Sequence, residues 1–205
     1  PNREGWAQHD GDTPAAIKSI VAGMVGQGYP AWDDPDGSAL ISGTPDNLRR
    51  AAWYSFAGGA AGWGGFADDW WNGSPPGAFN ATKATYYRNL QTFIQNSGVA
   101  FWQMVPRHDL VSNNSANSCL ANVGFEYVVY VLNNASVNVD LAGLSGSATY
   151  RTYDPKPGSW SPPESVEGGA VRTFSRPAGA DDWVIHIGGG GGPVCRPAIL
   201  RWTSP

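Results

Sequence analysis

The apolar residues change their period at Gly98, which confines the chain to a helix-bearing part followed by a β part. Before Gly98 the helix signals are clear. Asp12-Thr13 can cap, Pro14 suits a first helical position, and Ile17, Ile20, Val21, Met24 and Val25 make one stripe that Gly26 and Gly28 end. Thr44-Pro45 repeats that signature ahead of Leu48, Ala52, Trp53 and Phe56. A third helix is expected over residues 82–96, with Tyr86, Tyr87, Leu90, Phe93 and Ile94 on one side. Between the helices, Tyr29-Pro-Ala-Trp32 reads as a brief buried strand running into the acidic turn Asp33-Asp34-Pro35-Asp36-Gly37, and a short strand is expected near residues 61–66.

After Gly98, β-type runs cover residues 99–111, 125–133, 137–141, 149–153, 170–174 and 183–187. Asn133-Asn134, Asp154-Pro155-Lys156-Pro157-Gly158 and Arg176-Pro177-Ala178-Gly179 supply turn chemistry between them. Runs at this spacing predict a small antiparallel sandwich. The fold class is therefore α+β: a βα segment over 1–98, a sandwich over 99–189 and a Gly-rich tail over 190–205. The first segment is too short for a whole (β/α)₈ barrel, which takes ~250 residues, but holds two or three βα units. A parallel sheet that small leaves edges and faces that need covering.

The charge balance narrows the partners. Thirteen basic against 17 acidic residues, with no basic stripe, argue against nucleic acid and against an anionic membrane. No apolar run approaches ~20 residues. Three scattered His and two Cys show no ligand spacing, and no phosphate or dinucleotide loop is present, so no metal or cofactor is expected. Sequons stand at Asn72, Asn80, Asn113 and Asn134 and point to an extracellular (secreted) glycoprotein. Cys119 and Cys195 are either two buried thiols or a disulfide; the sequons favour a disulfide, which would pin the tail to the sandwich. The chain opens at Pro1, so a leader or longer N-terminal region has been removed, or the sequence is a piece.

The run from Leu48 through Ala52-Trp53-Tyr54-Ser55-Phe56 to Gly62 resembles the end of the barrel in apiosidase-like glycoside hydrolases. In that family a TIM barrel precedes a β-sandwich of the kind labelled collagen-binding. Phe101-Trp102-Gln103-Met104-Val105-Pro106-Arg107-His108-Asp109 is similar to the start of that sandwich, and Tyr127–Val131, Tyr153–Gly158 and Phe174-Ser175-Arg176-Pro177 to Asp182-Trp183-Val184 follow in the family's order. The resemblance implies that the chain matches only the last portion of such a protein. It also implies a polysaccharide or glycan partner, and a further chain or N-terminal region that completes the barrel.

Barrel chemistry sits at the C-terminal ends of strands, and the resemblance puts the candidate catalytic carboxylates at Asp33 and Asp34. The family tends to carry Glu there, one methylene longer; the same five residues also read as a solvated turn. Glycoside hydrolysis needs a second carboxyl group, which the family draws from an earlier strand. Substitutes here are His9-Asp10-Gly11-Asp12, equally a capping loop, and Asp68-Asp69-Trp70-Trp71, equally surface acids beside a structural Trp pair. In the carbohydrate reading Asp68, Asp69, Trp70 and Trp71 shape a sugar site, since sugars stack flat C–H faces on indole rings. Trp63 and Trp102 are platform or core residues on the same logic, Trp160 in its Pro-rich turn is expected to be more exposed than these, and His108 and His186 read as structural. A non-catalytic glycosylated structural or binding module is the alternative function.

Overall fold

A computed structural model describes residues 6–8, 14–26, 32–34, 44–60, 62–63 and 81–188. The first part alternates strictly: β1 (Trp6–Gln8), α1 (Pro14–Gly26), β2 (Trp32–Asp34), α2 (Pro45–Ala57), β3 (Gly62–Trp63) and α3 (Ala81–Asn96). The three strands form one parallel sheet in the order β1-β2-β3. Helix α2 starts as its sequence dictates. The Thr44 Oγ1 accepts the Asn47 N–H at 3.3 Å, and Pro45 takes the first helical position, where no N–H is needed. Trp32, expected to end a strand, instead begins β2, so the described strand includes the two acids assigned to a turn.

The second part is β throughout. Residues 99–111, read as one strand, are broken by two short 3₁₀ turns, Phe101–Gln103 and His108–Leu110, around the two-residue β4 (Val105–Pro106). Then come β5 (Ser118–Asn122), β6 (Glu126–Leu132), β7 (Ser136–Asp140), β8 (Ser147–Asp154), β9 (Ser159–Trp160), β10 (Glu164–Glu167), β11 (Val171–Ser175) and β12 (Asp182–Ile187). A large antiparallel sheet runs β10-β8-β12-β6-β5-β4, with β9 attached to β8; β7 and β11 pair separately as the small sheet. Strand β5 was not anticipated, nor were β9 and β10.

Alternation along the large sheet divides its side chains between two cores. Tyr127, Val129 and Val131 of β6 and Trp183, Ile185 and Ile187 of β12 face the small sheet, meeting Val137, Val139 and Phe174. Val128, Tyr130 and Val184 face the other way and pack on Trp53, Phe56, Leu90 and Phe93 of α2 and α3. Burial on both sides explains why β12 is buried at all six positions and β6 at six of seven. Helix α2 is consequently a central element: Leu48, Arg49 and all residues from Ala51 to Ala57 are buried. The α1 residue Val21 packs against its Ala51. Among the described residues no helix is long and apolar enough to cross a membrane.

Candidate functional site

A parallel sheet brings the C-terminal ends of its strands to one edge, and here the register is explicit. Asp33 lies between Ala7 of β1 and Trp63 of β3, and Asp34 lies beside Gln8. The chain thus leaves β1, β2 and β3 on the same side, immediately ahead of the sequences His9-Asp10-Gly11-Asp12, Pro35-Asp36-Gly37 and the run leading to Asp68-Asp69-Trp70-Trp71. The two acids proposed from sequence occupy the last two positions of the middle strand. Asp68, Asp69, Trp70 and Trp71 lie outside the described residues, as do His9–Asp12 and the sequons Asn72 and Asn80.

The sheet is held against the sandwich by a polar network inside the α2–β12 contact. Arg49 and Asp182 are each 1% exposed. The guanidinium donates to Asp182 through Nε at 3.1 Å and through Nη2, and Tyr130 donates its hydroxyl to the same carboxylate at 2.9 Å. Arg49 also pairs with Asp46 and lies over the Tyr86 ring at 4.8 Å. Burial opposes its charge, but the bonds to Asp182 and Asp46 outweigh that and raise its pKa. Lys156 extends the network, reaching Asp46 at 3.5 Å and pairing with Asp181. Arg49 and Asp182 lie 133 residues apart in sequence, so only their basic and acidic identities were visible beforehand, not their pairing.

The turn Asp154-Pro155-Lys156-Pro157-Gly158, noted as a family-like motif, takes part in the same junction. Asn89 of α3 donates to the Pro155 carbonyl at 3.0 Å and the Lys156 carbonyl at 2.8 Å, and the Tyr153 hydroxyl donates to the Asn89 carbonyl at 2.9 Å. Trp53 seals the apolar middle, stacked on Tyr130 at 5.9 Å and edge-on to Phe93 at 5.0 Å. Trp160 is half-buried rather than exposed. Its ring stacks on Phe93 at 5.1 Å with the Arg151 guanidinium 4.8 Å from its centre, because β9 folds the Pro-rich turn back onto α3. Trp102 is 41% exposed.

Both histidines of the sandwich have structural partners. The His186 Nε2 lies 2.7 Å from Glu126 Oε1, and Glu126 Oε2 accepts the Ala100 N–H at 3.1 Å, tying the connector after α3 to β6. His108 Nδ1 accepts the Cys119 N–H at 3.0 Å; burial, then the nearby Lys18 charge, lower its pKa to about 4. Cys119 is a free thiol, fully buried in the sandwich core, with its pKa pushed up to about 12 mainly by burial. The anticipated bridge to Cys195 is not formed here, and Cys195 lies outside the described residues. A cavity of about 310 Å³ lies between α2 and α3, lined by Ala52, Phe56, Leu90, Ile94, Phe101 and Gly62. It adjoins Gly62, the register partner of Trp32, and its lining among the described residues carries no carboxyl group.

Residues 105–187 match a family described as "Putative collagen-binding domain of a collagenase". A solved structure titled "Glycoside hydrolase" superposes with a TM-score of 0.70 at 16% identity, covering 95% of this chain and 52% of that one. A glycoside hydrolase family 5 protein from Bacteroides vulgatus ATCC 8482 superposes with a TM-score of 0.67 at 17% identity, covering 90% of this chain and 47% of that one. The chain therefore spans about half the length of these similar structures. No curated protein matches its sequence. At these identities the likeness is one of fold: three βα units joined to an antiparallel sandwich, as in those glycoside hydrolases.

Proposed function

We propose that the chain is an extracellular, carbohydrate-directed portion of a glycoside hydrolase, with residues 1–98 forming the last βα units of a TIM barrel of apiosidase-like type and 99–189 its sandwich. The observation that carries this reading is the parallel sheet itself. Its register sets Asp33 and Asp34 at the C-terminal end of the middle strand, the edge at which such sheets carry chemistry. One of these carboxylates serves as nucleophile or base toward a glycosidic bond. The acid that protonates the leaving oxygen comes from a barrel strand outside this sequence, because hydrolysis takes two carboxyl groups placed on opposite sides of the bond. Asp68, Asp69, Trp70 and Trp71 follow β3 and contribute to the sugar site, the indoles by stacking on C–H faces. The sandwich holds this edge in place through the Arg49–Asp182 junction.

The test is hydrolysis of a panel of plant and algal polysaccharides by the protein from its native source, with Asp33→Asn and Asp34→Asn variants. One of the two is expected to lose turnover by about 10³-fold or more while keeping the wild-type melting temperature. Wild-type turnover in both would remove these residues from the mechanism. The match of the sandwich to a family described as collagen-binding supports a second reading, a non-catalytic binding module, in which the folded protein binds its ligand without turnover of any polysaccharide.

A further inference from the structure

Two of the sequons, 21 residues apart in sequence, converge in space. Asn113 lies in the turn ahead of β5 with φ of 50°, a left-handed conformation that Asn tolerates better than most residues, and its side chain is exposed. Ser115, the hydroxyl residue of its sequon, donates its Oγ–H to Asn113 Oδ1 at 3.0 Å. Asn134 lies in the β6–β7 turn and is half-buried. Its amide is engaged: Nδ2 donates to Asn117 Oδ1 at 3.0 Å, and Asn117 is fully buried, donating in turn to the Ser112 carbonyl at 2.7 Å. The Asn134 carbonyl accepts the Trp183 Nε1–H at 3.1 Å. Asn113 Nδ2 faces Asn134 Oδ1 at 3.4 Å.

We propose that Asn113 and Asn134 form one modification site that carries a single N-linked glycan, on Asn113. Two amide groups at hydrogen-bonding distance leave no room for a sugar ring on each. The Asn134 side chain is half-buried and its nitrogen donates to the buried Asn117, so a sugar there would crowd that packing, whereas the Asn113 side chain is exposed. The transfer takes an oligosaccharide from a lipid-linked diphosphate donor. The bond between the sugar's anomeric carbon and the diphosphate oxygen breaks, the diphosphate leaves with the electron pair, the same carbon bonds to Asn113 Nδ2, and one amide proton passes to a base of the transferase. The proposal rests on the reading of the chain as exported, and an appended secretion leader makes its test independent of that reading.

The protein is secreted from a glycosylating yeast, and the folded, soluble fraction is mapped by peptide mass spectrometry. Glycans are released in isotopic water so that each formerly occupied Asn is marked. Asn113 is expected to be occupied and Asn134 bare; Asn134→Gln keeps the Asn113 glycan, and Asn113→Gln leaves Asn134 bare. Occupancy of both residues in one molecule, occupancy of Asn134 in the wild type or in Asn113→Gln, or a bare Asn113 in the wild type or in Asn134→Gln would overturn the assignment.

Discussion

Asp182→Ala removes the carboxylate at the centre of the α2–β12 junction, and the structure sets the size of the effect. The side chain has no access to solvent and accepts two bonds from Arg49 and one from Tyr130. Its loss leaves the Arg49 guanidinium buried, with Asp46, which is 37% exposed, as its one remaining ionic partner among the described residues. Breaking one side of such a pair costs about 3–5 kcal/mol. For a chain of this length each kcal/mol moves the midpoint by roughly 2–4 °C, so Tm falls by roughly 6–20 °C. Urea unfolding followed by tryptophan fluorescence measures the loss, since Trp53 and Trp183 flank the junction. The double variant Arg49→Met, Asp182→Leu removes both buried charges of the pair and leaves the Tyr130 hydroxyl without its acceptor, a cost of about 1–3 kcal/mol. It should be more stable than Asp182→Ala. A single-variant loss under about 1 kcal/mol, or a double variant as weak as the sum of the two singles, would refute the claim that this pair is a coupled buried unit.

Three further outcomes follow from particular groups. Gly158→Ala should cost about 2 kcal/mol or more, since φ is +72° and the added Cβ would lie 2.6 Å from Asn89 Oδ1; Gly179→Ala, at φ +84° in open space, should cost only about 1–2 kcal/mol by the same unfolding assay. The native His108 binds a proton less readily than the unfolded one, so its contribution to stability is lost as pH falls from about 6.5 toward about 4 and is constant above that window; a urea midpoint measured against pH should lose that slope in His108→Asn, whose amide oxygen can still accept the Cys119 N–H. In a Cys195→Ser variant a thiol reagent should find no reactive sulfur in the folded protein and one after denaturation, because Cys119 is buried and its thiolate disfavoured; fast native reaction would show that the sandwich core opens.

The helical part was legible because its signals are local. Thr44-Pro45 marks the start of α2 by removing an unneeded N–H and capping another, and α3 forms where the stripe Tyr86, Tyr87, Leu90, Phe93 and Ile94 implies. The β part was legible where β-branched and aromatic residues run together, as in β6 and β12. Strand β5 escaped because Ser118-Cys119-Leu120-Ala121-Asn122 has weak β propensity and is held by its neighbours β4 and β6 instead. Residues 99–111 misled in the opposite sense. Their apolar content serves both a helix contact through Met104 and a sandwich contact through Val111, and the chain turns twice to reach both. Trp160 was misjudged for a similar reason, since the partner that half-buries it, Phe93, belongs to a helix 67 residues earlier. At the candidate site, sequence named Asp33 and Asp34 as candidates, while the neighbouring positions Ala7, Gln8 and Trp63 emerged only from strand register.

In the proposed function this sheet edge is part of a larger catalytic surface. The most direct measurement is polysaccharide turnover by residues 1–205 alone beside the same sequence joined to whatever its gene encodes upstream. Hydrolysis is expected from the longer polypeptide, abolished by Asp33→Asn or Asp34→Asn, and none from the folded 205-residue chain. Equal turnover by the 205 residues on their own would contradict it.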